Sequence, residues 1–378
     1  MNMNFKHLFC FIWLLAGCAT PQKDTQETEA PARPVEWLSF EGESTKPQIV
    51  LVSGDEEYRS EEALPQMAKI LSYGHGFNCT VLFAQDPEFP GIADPNYLHN
   101  IPGLWHLKQA DLMIIFTRFR ALPDSQMVHV EDYLKSGRPV LGIRTSTHAF
   151  RMDNAPFQSD YLHYGNYYQS EDQWNGGFGR LVLGEKWISH HGHHGHQSTR
   201  GMAAPGAEEH PMLNGIEPGS IWGATDVYGV RLPLPGDSSP VLLGQVVNRA
   251  GERDENDPLL GMRPSDSELP EPEMRKNPEG EEVETELNDP MMPIVWTKSY
   301  QLPGGQEGEV ITSTIGASVD LLQEGTRRLL VNGVYFLLDM EVPEQANVDL
   351  VGSYNPSRFA FHDDAHWDSL QIDIATLK

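Results

Sequence analysis

The densest chemistry in the chain is Ser189-His190-His191-Gly192-His193-His194-Gly195-His196, which sets five histidines within seven residues. Imidazole binds Zn, Ni, Cu or Fe, and a nearby carboxylate completes many such sites. Drawn as a strand, the run puts His191 and His193 on one face and His190, His194 and His196 on the other. Its glycines favour a loop instead. We expect His191, His193 and His196 to hold a divalent ion, if one is bound to this cluster. His191 and His193 are also expected to serve catalysis, and His190 and His194 to touch substrate. A sugar-binding loop, local hydrogen bonding or a histidine-rich surface would use the same residues differently.

Other candidates follow short apolar runs. Asp55-Glu56-Glu57-Tyr58-Arg59 sets three carboxylates together. They suit metal ligation, acid–base work (Glu57 above all) or charge at the start of a helix. Asp55, Glu56 and Tyr58 are expected to bind substrate. Arg118 can clamp a hydroxyl-rich or anionic ligand. Gly142-Ile143-Arg144-Thr145-Ser146-Thr147-His148 has the strand, tight turn and helix of a nucleophile elbow. Arg144 cannot attack a carbonyl carbon, but it can polarise a carbonyl or hold an oxyanion, and His148 is a candidate acid. Asp226 and Tyr228, close to Trp222, suit a carbohydrate pocket. His362-Asp363-Asp364-Ala365-His366 also resembles a ligand cluster, but its place near the terminus predicts fraying.

These residues need elements to hold them. Ile49–Val52, Cys79–Ala84, Asp111–Phe116 and Pro139–Ile143 read as buried strands. Helices are expected from about Glu61, with Pro65 in its first turn, and from Asp124, along Met127, Val130 and Leu134. The alternation predicts an α/β fold, flavodoxin-like and doubly wound. It has a mainly parallel sheet, helices on both faces and irregular insertions. Further strands are expected near Arg180–Leu183, Val241–Val247 and Val310–Thr314, and a helix over Thr326–Leu338.

Composition bounds the function. The 378 residues carry 54 acids against 27 bases, a formal net charge of -27, which argues against nucleic acid as a partner. Between 252 and 289, 14 acids face four bases, so this stretch reads as a solvated insertion away from the pocket. Cys10, Cys18 and Cys79 are too few for a disulfide framework. Lys6, the apolar run to Ala16 and Leu15-Ala16-Gly17-Cys18 read as a bacterial lipoprotein signal. Residues 1–17 would be removed, Cys18 lipidated, and 18–46 would form a flexible tether. The α/β domain would span 47–345, and 346–378 would form a tail packing on it or fraying. Cys79 reads as a buried strand residue.

The elbow GIRTSTHAF resembles the Gly-Ile-His-Ser-Ala-Thr-Asp-Thr-Phe stretch of ThuA-like proteins, named for trehalose utilisation. SGDEEYRSEEALP, WISHHGHHGHQSTRG, IWGATDVYGV and the stretch from Ile311 to Phe359 are similar too, closest to a planctomycete-type lipoprotein subgroup. That family belongs to the class I glutamine amidotransferase-like superfamily. The resemblance implies a flavodoxin-like core and a link to carbohydrate catabolism through 3-keto sugars. Arg144 and His148 stand where the family has His and Asp. One carboxylate is missing beside Asp226, and Gly316-Ala317 replaces a Gly-His pair.

The expectation is an exported protein, lipid-anchored to the cell envelope, whose partner is a carbohydrate or sugar-derived molecule. It would be a hydrolase or lyase for a substrate such as a 3-keto-glycoside, without glutaminase activity, since the elbow lacks Cys. The alternative is a non-catalytic carbohydrate-binding or scaffold lipoprotein with a degenerate site.

Overall fold

The first predicted strand leads the fold. Gln48–Gly54 (β2) follows an edge strand, Trp37–Phe40 (β1). Then come Asn78–Phe83 (β3), Leu112–Thr117 (β4) and Val140–Ile143 (β5). The second half adds Gln197–Ala203 (β6), Trp222–Gly223 (β7), Ser239–Asn248 (β8), Met292–Gln301 (β9) and Glu307–Ser313 (β10). This computed structural model describes residues 34–276 and 281–378, together with Met1. The signal, the lipidation site Cys18 and most of the expected tether therefore lie outside the described residues.

The ten strands form one sheet in the order β1-β3-β2-β4-β5-β10-β9-β8-β6-β7. From β3 to β10 the neighbours are parallel. β1 and the run from β9 to β7 pair antiparallel. The parallel strands are buried on both faces, which explains their unbroken apolar runs. Ile49, Leu51 and Ile114 face a core with Leu64 and Met67 of helix Ser60–Lys69 (α1). Leu330 and Val334 of helix Glu324–Leu337 (α4) join that core. Val50, Val52, Met113 and Ile115 face the other way, onto Met127, Val130 and Leu134 of helix Asp124–Lys135 (α2). Period-two alternation thus places helices on both faces, as a doubly wound α/β architecture requires. Val35–Lys378 make one compact unit. Cys79 is buried in β3, and burial pushes its thiol up to about 12.

Several expectations need correcting. Pro65 lies in the second turn of α1, where it offers no N–H to the Glu61 carbonyl. Arg180–Leu183 is not a strand. It overlaps the short helix Gly177–Leu181 (α3), and Val182 N donates to Phe178 O across one turn, at 2.8 Å. The tether expected over 18–46 ends early, because Trp37–Phe40 adds a strand to β3. The tail packs: Asp363 caps helix Asp364–Leu370 (α5), Trp367 and Ile374 are buried, and Ile372–Asp373 pairs with Ile92–Ala93. The acidic insertion contains a hairpin of Glu273–Lys276 with Glu282–Thr285. Among the described residues no helix is long and apolar enough to cross a membrane.

The elbow after β5 is packed tightly by α3. A Cβ on Gly179 would lie 2.0 Å from the Thr147 carbonyl oxygen, whereas one on Gly333 of α4 would meet Ile311 at an ordinary 3.4 Å. Gly179→Ala should therefore cost about 1–3 kcal/mol of stability. Gly333→Ala should be neutral or gain up to about 1 kcal/mol. Urea unfolding of both variants checks the contrast.

Candidate functional site

The site gathers where the parallel strands end. Gly54 closes β2, and Asp55 shapes the turn after it. One Asp55 oxygen accepts from the Glu57 amide at 2.9 Å and from the Tyr58 amide; the other accepts from Thr145 Oγ1 on the elbow. Burial and the Glu56 charge push Asp55 up to about 6. Glu56 turns the other way and is shared by Arg118 and Arg120, with Arg120 Nη2 at 2.6 Å. Asp55 and Glu56 therefore build the turn.

Glu57 is the carboxylate of this trio that reaches the cavity. It bounds a hollow of about 200 Å3 with Arg118, Phe119, His148, Tyr167, Trp187, His190, Tyr228 and Phe361. Burial, reinforced by Asp55, pushes its carboxyl up to about 8, so it carries a proton at neutral pH. A larger hollow of about 590 Å3 lies by Pro211 and Phe336, but no His or Arg lines it. Chemistry, not size, selects the first.

Arg144 is the elbow residue, with φ 47°, and it is fully buried. Its guanidinium lies between two rings, 4.4 Å from the Tyr58 centroid and 3.8 Å from that of Tyr228. Nη1 donates to the carbonyls of Asp226 (2.7 Å) and Thr314 (2.6 Å). Nη2 donates to Tyr58 Oη (3.0 Å) and Asp226 Oδ1 (3.1 Å). All four of its terminal N–H groups are thus engaged, which leaves none of them for a substrate oxyanion.

Asp226 joins this cation to the histidine loop. His190 Nδ1 lies 2.7 Å from Asp226 Oδ2, and His194 Nδ1 lies 3.0 Å from Asp226 Oδ1. Burial opposes charge on Asp226, but the bonds from His190, His194 and Arg144 outweigh it and hold the carboxyl well below the usual carboxylate range. His194 Nε2 in turn lies 3.5 Å from Glu57 Oε1. His190, His194 and Asp226 each offer a ligand atom within 4.8 Å of the others, so this cluster could hold a metal ion.

The other histidines go elsewhere. His191 Nε2 lies 2.7 Å from the Leu287 carbonyl, and His193 Nε2 lies 2.8 Å from Glu273 Oε2. His196 Nε2 lies 3.3 Å from Arg253. The expected ligand trio His191, His193 and His196 therefore does not converge. Period-two alternation already separates His196 from His191 and His193, and the loop brings together His190 and His194 from the other face. All three partners belong to the acidic insertion, so that segment braces the loop and does not lie away from it. His148 lines the cavity, and burial with the Arg118 and Arg144 charges holds its imidazole well below its ordinary value. It is neutral there, so it does not supply a proton as imidazolium.

Four lining residues are absent from the expected set: Phe119, Tyr167, Trp187 and Phe361. Trp187 lies just before the histidine run, and Phe119 follows Arg118, so position pointed to both. Nothing local marks Tyr167 or Phe361. Phe361 comes from the tail and packs 4.6 Å from the Arg118 guanidinium, which lies 4.7 Å from Phe119.

No family model and no curated protein matches the sequence. Among solved structures, the chain is similar to a protein designated ThuA-like from Parabacteroides merdae ATCC 43184. The identity is 12%, the TM-score 0.43, and the match covers 79% of this chain and 92% of the other. A second, also designated ThuA-like, comes from Bacteroides uniformis ATCC 8492, with 14% identity and a TM-score of 0.39 over 78% of this chain and 93% of the other. At these scores the likeness is too remote to transfer a residue or an activity.

Removing the Asp226 charge should leave Arg144 buried and unbalanced. Asp226→Asn should cost about 3–5 kcal/mol, and His190→Ala, at a half-exposed side chain, much less. Because the folded carboxyl lies below its ordinary value of 3.8, its stabilisation is present above that pH and is lost as pH falls through the folded value. Urea midpoints from pH 7 to pH 3 for wild type and Asp226→Asn check both the loss and the flatter pH profile of the variant.

Proposed function

We propose that this chain is a protein of carbohydrate catabolism, a hydrolase or lyase acting by acid–base chemistry on a sugar derivative such as a 3-keto-glycoside. We further propose that it works outside the cytoplasm, held to the envelope by lipid on Cys18. The observation that carries the catalytic reading is the convergence of Glu57, His190 and four aromatic side chains, besides Tyr228, on one cavity of about 200 Å3. That volume suits a single sugar ring. Aromatic faces stack on the apolar C–H faces of such rings, while the polar groups bond to hydroxyls.

A 3-keto group acidifies the neighbouring C–H. His190 is the base: Asp226 holds its Nδ1, which leaves Nε2 to take the proton. As the C–H pair forms a C=C bond, the adjacent C–O bond breaks. The leaving oxygen takes the proton from the Glu57 carboxyl. Arg118, whose Nη1 is held by Glu56 and whose Nε lies 3.6 Å from Glu57 Oε2, lines the cavity and supplies positive charge opposite the developing enolate. Arg144 positions Asp226 and the tyrosines and does not touch substrate. Covalent acyl transfer is outside this scheme, because the elbow carries a guanidinium where a thiol would stand.

A second reading is favoured by the close His190, His194 and Asp226 donors. Two imidazoles and a carboxylate suit Zn, Ni, Mn or Fe, and a divalent ion held by them would supply Lewis-acid polarisation of the ketone. Protein purified without a His tag should then contain about one equivalent of metal, lost in His190→Ala and His194→Ala; metal below a tenth of an equivalent removes this reading.

The catalytic reading is tested with 3-keto-disaccharides and their parent glycosides, followed by mass spectrometry. Glu57→Gln and His190→Ala should each lower kcat about 100-fold or more while leaving the thermal midpoint near wild type. Turnover should fall as pH rises past about 8, because the acid form of Glu57 is lost. Full turnover in both variants would overturn the assignment. Tight binding without product would leave a sugar-binding protein.

A further inference from the structure

We propose that the rim formed by Tyr167, Arg151 and Lys186 is a subsite for an anionic sugar unit, one bearing a carboxylate or a sulfate, attached to the ring in the cavity. This deepens the carbohydrate reading above and rests on it. Tyr167 is 46% exposed, borders the cavity, and stacks on Phe119 with centroids 5.8 Å apart and planes at 24°. Its ring is a platform open to solvent, where a second unit can lie.

Two cations flank that platform. The Arg151 guanidinium is 5.3 Å from the Tyr167 centroid, and Lys186 Nζ is 5.8 Å away. Neither is well neutralised. Arg151 has Asp153 only at 3.8 Å, with both side chains largely exposed. Lys186 Nζ donates to the Asn166 carbonyl at 2.8 Å. The adjacent Glu185 carboxylate is taken up by Arg180 at 2.7 Å and Arg231 at 2.6 Å. Deeper in, Arg118 and Arg120 share the carboxylate of Glu56, and Arg118 Nε also lies 3.6 Å from Glu57 Oε2.

This local surplus stands against a chain of net charge -27. Long-range repulsion would keep anions away, so the rim acts at short range, where a fixed pair of donors can meet an anion. A neutral unit would gain only hydroxyl hydrogen bonds from the two cations, whereas an anionic one gains charge-assisted bonds. An aromatic or neutral second unit could use Tyr167 alone.

The test is calorimetric binding of three probes to the full chain: cellobiose, a glucuronyl-glucose disaccharide and a monosulfated disaccharide. At least one anionic probe should bind about tenfold more tightly than cellobiose at low salt, and the stronger one identifies the group. In the doubly substituted Arg151→Met, Lys186→Met protein that preference should shrink to about twofold or less, with cellobiose binding weakened far less than that of the anionic probe. Circular dichroism confirms that the variant folds. Equal binding of all three probes, a preference that survives the double substitution, or no binding by roughly 10 mM would overturn the subsite. The Glu57→Gln turnover assay decides the catalytic reading separately, because it does not depend on the rim.

Discussion

A guanidinium and a carboxylate, both out of reach of water, stand where the two halves of the sheet meet. Arg144 and Asp226 are fully buried, and removing either ion from water costs several kcal/mol. The arrangement is sustained because Arg144 spends its terminal donors on two carbonyls, a tyrosine and Asp226, with a ring against each face. Asp226 spends its remaining capacity on two imidazoles. The orientation of the histidine loop, the place of Tyr58 and Tyr228, and the shape of the elbow all follow from this pair. At φ 47°, Arg144 occupies a backbone region that non-glycine residues seldom adopt. Its many bonds over-determine that conformation.

The parallel half of the fold was legible in the sequence because both of its faces are covered. Ile49–Val52 and Leu112–Phe116 are apolar at every position, and only a buried strand or buried helix tolerates that. The antiparallel half was harder. β6 is polar along much of its length, as Gln197-Ser198-Thr199-Arg200, and it bonds to β8 although hydropathy does not mark it. α3 was mistaken for a strand because Leu181, Val182 and Leu183 are adjacent apolar residues. The spacing from Phe178 to Val182 is what reveals the turn. β1 was lost in a polar stretch that composition alone assigns to a tether.

The site was legible by type more than by geometry. The strand-end rule located Glu57, Arg118 and the elbow, and the histidine run located His190 and His194. Which histidines converge depends on Asp226, some thirty residues away. Period-two alternation groups His190 with His194 but also with His196, and nothing local reports that only the first two meet Asp226. Arg144 illustrates the same limit: its type suggested an oxyanion donor, while its partners show a cation consumed in building the site. The acidic insertion, read as solvated, braces the loop through Leu287, Glu273 and Arg253. An acidic composition describes the average face of a segment, not its contacts.

Phe361 closes one side of the cavity and comes from a segment that follows every strand of the main sheet. Glu57, the elbow and the histidine loop all precede in sequence the wall that encloses them. Without that segment one side of the cavity stands open, and less of the burial that holds the Glu57 carboxyl high remains. The enclosure of that carboxyl is thus completed by a segment remote from it in sequence.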